Sequence, residues 1–262
     1  MNEAKETVTG SDAQSHPSAV FVPENFASAC FHVMSHLRLW SFAVVGLAID
    51  LWSKHWAFST LDANEGTLVI PNVMRFQRSL NSGALFGMGK GWTPLFIIAS
   101  ILALGFVFYL FAQSDRRRKT LHIGLGLVLG GALGNLYDRT FVIADVIKYQ
   151  HSGRTYTVVG LLQETQIPGY IRIGAWPERE IAVHPPIREE WVVSQRQQGV
   201  VRDFIKMEPK TPWFDWWPWV FNIADSMLVV GVGLLMLNFW WDHKAERQAM
   251  AAKAEAEPLP AT

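Results

Sequence analysis

Apolar residues collect in four runs along this chain, roughly Leu37–Phe58, Trp92–Phe111, Leu121–Val142 and Trp217–Trp241, separated by polar stretches. Each run is near the ~20 residues a helix needs to cross the hydrocarbon core of a bilayer. The pattern predicts an all-α membrane protein: four transmembrane helices with an outward-facing, β-rich loop or subdomain. The expected divisions are an N-terminal arm over 1–36, helices over 37–58, 92–112, 121–142 and 217–241, an outer loop over 59–91, a basic loop over 113–120, an outer insertion over 143–216 and a tail over 242–262. Within the insertion, Thr155–Val159, Tyr170–Ile173 and Trp191–Val193 have β-like composition and are punctuated by Pro168, Pro177, Pro185 and Pro186.

Charge adds an orientation. Arg38 precedes the first run, Arg116-Arg117-Arg118-Lys119 fills the connection between the second and third, and Lys244 and Arg247 follow the fourth. With four spans these places share a side, and the excess of Lys and Arg makes that side cytoplasmic. Both termini are then cytoplasmic and the loops 59–91 and 143–216 face outward, with Trp92, Trp213, Trp216, Trp217 and Trp219 as outer interfacial anchors and Trp240-Trp241 as inner ones. The Arg116–Lys119 cluster thus reads as a topology signal, and no nucleic-acid partner is expected. Residues 1–27 are mostly polar and small, so the first span is expected to serve as the insertion signal. The single Cys30 leaves no internal disulfide, and the eight His show no metal-ligand spacing.

Inside the runs, polar residues converge in depth. At a rise of 1.5 Å per residue, Asp50 lies about 18 Å from Arg38, Asn135 about 21 Å from Leu121, and Asp225 about 24 Å from Trp241. Three spans therefore place polar groups in the same outer leaflet. Asp50 and Lys54 are spaced i,i+4; Asn135, Asp138 and Arg139 are spaced i, i+3, i+4; Asn222 and Asp225 are spaced i,i+3, so each set shares one helix face. Structural ion pairs, Asp50 with Lys54 and Asp138 with Arg139, would explain part of this set. Asp225 has no basic neighbour at helical spacing. Intramembrane carboxylates are costly to ionise, and two that converge can share a proton and activate water. A conducting path would instead need polar groups through the full depth, whereas Val107–Phe111 and Val229–Leu237 are almost wholly apolar.

Five ordered blocks resemble those of the lipoprotein signal peptidases (signal peptidase II). Asp50-Leu51-Trp52-Ser53-Lys54 resembles the family's D-x-x-S/T-K, and Asn81-Ser82-Gly83-Ala84-Leu85-Phe86-Gly87 its N-x-G-A-x-F-G loop. Gly130–Arg139 resembles G-G-A-x-G-N-x-x-D-R, Val201–Ile205 resembles V-x-D-F-I, and Phe221–Ser226 resembles F-N-x-A-D-S/T. The resemblance implies an aspartic endopeptidase that cleaves prolipoproteins before a diacylglyceryl-modified cysteine, in contact with membrane lipid, inhibited by globomycin, and with no metal or organic cofactor. It implies Asp203 and Asp225 as the catalytic pair. Asp50, Lys54, Asn81, Gly83, Asn135, Asp138, Arg139, Asn222 and Ala224 are implied as supporting or substrate-binding residues. One departure stands out: the family joins D-R to V-x-D-F through a few residues, whereas here Thr140–Val200 intervenes. Asp145 sits near the usual spacing and remains the alternative to Asp203, which is preferred for its Phe204-Ile205 continuation. The rival classes are a non-enzymatic membrane binding protein and an ion- or proton-conducting bundle.

Overall fold

The computed structural model describes residues 28–83, 93–208, 210–211, 214–215 and 219–256. Four helices form a bundle: α1 (Val33–Thr60), α2 (Thr93–Ala112), α3 (Lys119–Phe141) and α4 (Ile223–Ala256). Helix α3 lies at the centre, packed against α1, α2 and α4. The buried face of α1 runs through Leu39, Ala43, Gly46, Asp50, Ser53/Lys54 and Ala57, the three-and-four spacing of a single helix stripe. The opposite faces are apolar and exposed: Trp40, Val44, Val45 and Trp52 on α1, Ile101, Leu102 and Phe106 on α2, and Val229, Met236 and Trp240 on α4. A bundle with oil outside and carboxylates inside suits lipid rather than water.

Two antiparallel sheets cap one end. The first has the order β1-β2-β8-β11, from β1 (Thr67–Ile70), β2 (Met74–Asn81), β8 (Val201–Met207) and β11 (Val220–Phe221). The second has the order β6-β5-β4-β3-β7, from β3 (Ile143–His151), β4 (Arg154–Gln163), β5 (Tyr170–Gly174), β6 (Ile187–Arg188) and β7 (Val192–Gly199). A short hairpin, β9 (Lys210–Thr211) with β10 (Phe214–Asp215), completes the strands.

These sheets correct the expected fold class. The protein is not all-α, and β structure is not confined to one loop: β1 and β2 come from the stretch taken as a plain outer loop, and β2 pairs with β8 across the whole third helix and the insertion. Such pairing is non-local, so no periodicity within 59–91 reveals it. Three helices, rather than the four expected, qualify as candidate spans among the described residues: α1, α3 and the Ile223–Ala252 portion of α4 are long and apolar enough to cross a membrane. Helix α2 spans Thr93–Ala112, and its described apolar portion is Ile97–Ala112. Helix α4 begins at Ile223 rather than Trp217. The expected anchors Trp92, Trp213, Trp216 and Trp217 lie outside the described residues.

The second sheet is a closed insertion. Strand β3 starts directly beyond the end of α3, and the chain returns at Val200, whose N–H donates to the Val142 carbonyl at 2.9 Å. The whole sheet thus enters and leaves through adjacent residues. Its base is sealed by Val142, Ala144, Val146 and Val200 with Leu80, Val159 and Trp176 against them.

Glycine sets the distance between α1 and α3. A Cβ on Gly130 would lie 2.7 Å from the Ala43 carbonyl oxygen, and one on Gly126 would lie 2.6 Å from that of Leu39. This close approach brings Asp50 on α1 up to α3 and α4. Gly130→Ala should therefore force the helices apart and destabilise the protein by about 1–3 kcal/mol, read as thermal unfolding in detergent. Gly105→Ala, which meets nothing within 4 Å, should be neutral or slightly stabilising. Equal effects from the two would refute the close-approach explanation.

Candidate active site

Helix α4 starts inside the protein, so its first N–H groups need partners. Asn222 immediately precedes the helix. Its Oδ1 accepts from the Asp225 N–H at 2.9 Å, while Asp225 Oδ2 accepts from the Asn222 N–H at 3.3 Å. The reciprocal pair is a capping box built with Asn and Asp. The Ala224 N–H donates to Asp50 Oδ1 at 2.8 Å. A carboxylate at this position also faces the positive end of the helix dipole.

From this cap a hydrogen-bonded network spreads to three other elements. Asn222 Nδ2 donates to Asp203 Oδ1 at 2.6 Å, and Asn81 Nδ2 donates to Asp203 Oδ2 at 3.0 Å. Asn135 Nδ2 donates to Asp225 Oδ1 at 2.8 Å. Asn135 Oδ1 in turn accepts from Lys54 Nζ at 3.1 Å and from Asn222 Nδ2 at 3.3 Å. Asn222 therefore touches both aspartates at once. Asn81 is held for its part by the Gly83 N–H, which donates to its Oδ1 at 2.9 Å, an Asx-type turn.

Lys54 and Arg202 provide the buried positive charge of this network. Lys54 Nζ lies 2.8 Å from Asp50 and 3.5 Å from Asp138. Arg202 Nη2 donates to Asp138 Oδ1 at 2.7 Å and the Arg202 N–H to Asp138 Oδ2 at 2.9 Å. Two cations thus face two carboxylates, Asp50 and Asp138. Among the described residues, no Lys or Arg comes within ion-pair distance of Asp203 or Asp225. Burial pushes the Asp203 carboxyl well above the usual carboxylate range, and the neighbouring Asp225 charge adds to this against the hydrogen bonds from Asn81 and Asn222.

Strand alternation explains how neighbours on β8 divide their tasks. Asp203 points to Asn81 and Asn222, while Arg202 points the other way to Asp138. Opposite them, Ser79 pairs with Asp203 and Asn81 with Val201, after an irregularity in β2 between Phe76 and Ser79. Such a register shift re-aims side chains beside a site. It leaves Asn81 diagonal to Asp203.

All eleven residues singled out in the sequence lie in or beside this network. Arg139 does not pair with Asp138: its guanidinium donates to the Gly83 carbonyl at 3.0 Å and the Asn135 carbonyl at 3.4 Å. The residue that sequence reasoning missed is Arg202. Its signal was its place next to Asp203 in a strand, which turns it towards α3. Asp145 lies elsewhere, on β3, where its Oδ2 accepts from the Leu162 N–H at 2.8 Å within the insertion's own sheet. Residues 84–87 of the Asn81 block lie outside the described residues.

A lipid-suited bundle with two buried carboxylates at its capped end has the architecture of a membrane-embedded enzyme. The chain matches the family model for Signal peptidase (SPase) II over residues 42–241, and so it belongs to the signal peptidase II family. It is 35% identical to the lipoprotein signal peptidase of Anoxybacillus flavithermus over 215 residues, 82% of this chain and 91% of that protein. It is 28% identical to that of Desulfitobacterium hafniense over 212 residues, 81% of this chain and 99% of that one. A solved structure described as a bacterial membrane enzyme, obtained by the in meso method at 2.3 Å resolution, shares the fold. Its TM-score is 0.50 at 20% identity, over 87% of this chain and 94% of that one. Membership makes the chain a bacterial membrane protease.

Removing one partner of the Arg202–Asp138 pair strands a buried charge. Arg202→Met or Asp138→Leu alone should each destabilise the fold by about 3–5 kcal/mol, and the double variant by clearly less than their sum. Strict additivity in thermal unfolding would refute the pairing.

Proposed function

We propose that this chain removes signal peptides from prolipoproteins by hydrolysing the bond before a diacylglyceryl-modified cysteine, with Asp203 and Asp225 as the catalytic pair. Membership of the signal peptidase II family supports the reaction. The observation that carries the pair is Asn222, hydrogen-bonded to both buried carboxyls, neither of which has a Lys or Arg within ion-pair distance among the described residues. Two such groups cannot both ionise cheaply, so they hold one proton between them.

The ionised member takes a proton from a water as the water attacks the scissile carbonyl. The protonated member gives its proton to the developing oxyanion, and the tetrahedral intermediate collapses as the leaving amine is protonated. The products are a free carboxylate on the signal peptide and a free amine on the cysteine. Asn135 and Asn222 fix the carboxyls, and Asn81 and Gly83 lie where the peptide backbone of the substrate passes. The acyl chains remain in membrane lipid beside the bundle, and globomycin occupies the same site as an inhibitor.

The basic end of the bundle faces the cytoplasm. Arg38 donates to the Arg116 carbonyl at 3.1 Å and Arg118 pairs with Asp242, so the Arg and Lys clusters gather at one end. Both ends of the chain lie on that side in this reading, and the site opens at the outer face. Between the two ends, Leu39, Ala43, Leu125, Leu129 and Val107 form a closed apolar core, which disfavours a conducting path.

Asp203→Asn and Asp225→Asn should each reduce cleavage of a lipid-modified prolipoprotein by at least about 10²–10⁴-fold, while Asp145→Asn retains it and globomycin blocks the wild type. An active Asp203→Asn with an inactive Asp145→Asn would refute the pair. The pH profile of cleavage should be bell-shaped. Activity falls in acid as both carboxyls protonate and falls in base as the shared proton leaves, with the alkaline limb above the ordinary carboxylate range of about 4. A single acid limb with a flat plateau above it would contradict a shared proton.

A further inference from the structure

A cleft of about 490 Å³ lies between the two sheets, with Asp203 in its lining. That volume is in the range of ~300–1,000 Å³ that takes a small ligand or a few residues of peptide. Its walls are made of consecutive residues: Arg78 to Ser82 on one side and Thr157 to Val159 on the other. Successive side chains of a strand point to opposite faces, so three residues in a row can line a cleft only where the cleft meets the edge of the strand.

Both edges are open there. Strand β4 pairs with β5 only over Leu161–Gln163, so among the described residues its Thr155–Gly160 portion has β3 on one side and no strand on the other. Strand β2 pairs with β1 only up to Phe76, so among the described residues its Arg78–Leu80 portion has β8 as its strand neighbour. Open strand edges carry unpaired N–H and C=O groups and recruit extended peptide.

The insertion is fastened to the bundle beside this cleft. Arg78 donates to both carboxylate oxygens of Glu178, at 2.7 and 3.3 Å, and to the Leu61 carbonyl at 2.8 Å. Trp176 packs edge-on against Phe58 at 6.0 Å between centroids, and the Arg202 guanidinium lies 5.7 Å from the Trp176 ring. The far wall of the cleft is therefore fixed relative to Asp203.

We propose that the insertion is a substrate-selecting wall: the extended polypeptide that follows the cleaved bond lies in this cleft and pairs through its backbone with the open edge of β4. This rests on the protease reading above. The occupant follows from the cleft's surroundings. A signal peptide is an apolar segment and belongs with the lipid-facing helices, whereas this cleft lies between strand edges at the capped end of the bundle, with the polar Arg78, Ser79, Asn81 and Thr157 in its lining. The chain beyond the cysteine is the part of the substrate that leaves the membrane here.

The test compares two diacylglyceryl-cysteine substrates with the same signal peptide, one ending a residue after the cysteine and one extended by six. Wild-type enzyme should cleave the extended substrate with at least tenfold higher kcat/KM. N-methylation of alternate amides in the extension should abolish that advantage. Thr157→Trp should lower kcat/KM for the extended substrate only, and its unchanged rate on the short one would show that the variant folds. Equal efficiency on both substrates, or indifference to N-methylation in the wild type, would overturn the proposal whatever the variant does. Cleavage of neither substrate by a folded wild type would overturn the protease reading and the wall with it.

Discussion

A helix that begins away from water has to satisfy its leading N–H groups within the protein, and the start of α4 shows how much follows from that. Asn222, Asp225 and Asp50 each bond one of the first backbone donors of this helix. Each of them is then committed in position to within a hydrogen bond. Asn135 and Lys54 are fixed in turn by Asp225 and Asp50, and Asp138 and Arg202 by Lys54 and by each other. The same bonds that cap the helix therefore align the carboxyl of Asp225 with that of Asp203. In an apolar surrounding an unpaired polar group costs several kcal/mol, so the network is held together by the absence of any alternative partner.

The charge distribution gives this arrangement its chemical direction. Asp50 and Asp138 are matched by Lys54 and Arg202, whereas among the described residues Asp203 and Asp225 have no Lys or Arg within ion-pair distance. Had either acquired a lysine or arginine at contact distance, both would ionise and no proton would be left to donate. Amide side chains, by contrast, orient a carboxyl without fixing its charge. Asn81, Asn135 and Asn222 are the hydrogen-bonding neighbours of the pair, and amides suit groups that take up and release a proton.

Much of this site was legible in the sequence, because polar residues in apolar runs are conspicuous and helical spacing converts position into face and depth. Asp50 with Lys54, and Asn222 with Asp225, follow from that arithmetic. The sheets were not legible as an architecture. Residues 74–81 are as polar as any loop, and they form a strand only because β8, far along the chain, pairs with them. Asp138 was matched to Arg139 by proximity in sequence, yet the strand neighbour Arg202 takes that place. The extended spacing between Arg139 and Asp203 looked like a break in the pattern. It is accommodated because Val142 and Val200 are hydrogen-bonded neighbours, so a five-stranded sheet is added without moving Arg202 from Asp138.

One spectroscopic measurement addresses the shared proton directly. Infrared spectra of protein labelled with ¹³C in its aspartate carboxyls, at neutral pH, separate protonated from ionised groups. A pair holding one proton gives a buried protonated carboxyl band, and that band is lost or shifted in both Asp203→Asn and Asp225→Asn, because the proton belongs to the pair. A wild-type spectrum with every aspartate ionised, or a protonated band left unchanged by both substitutions, would contradict it.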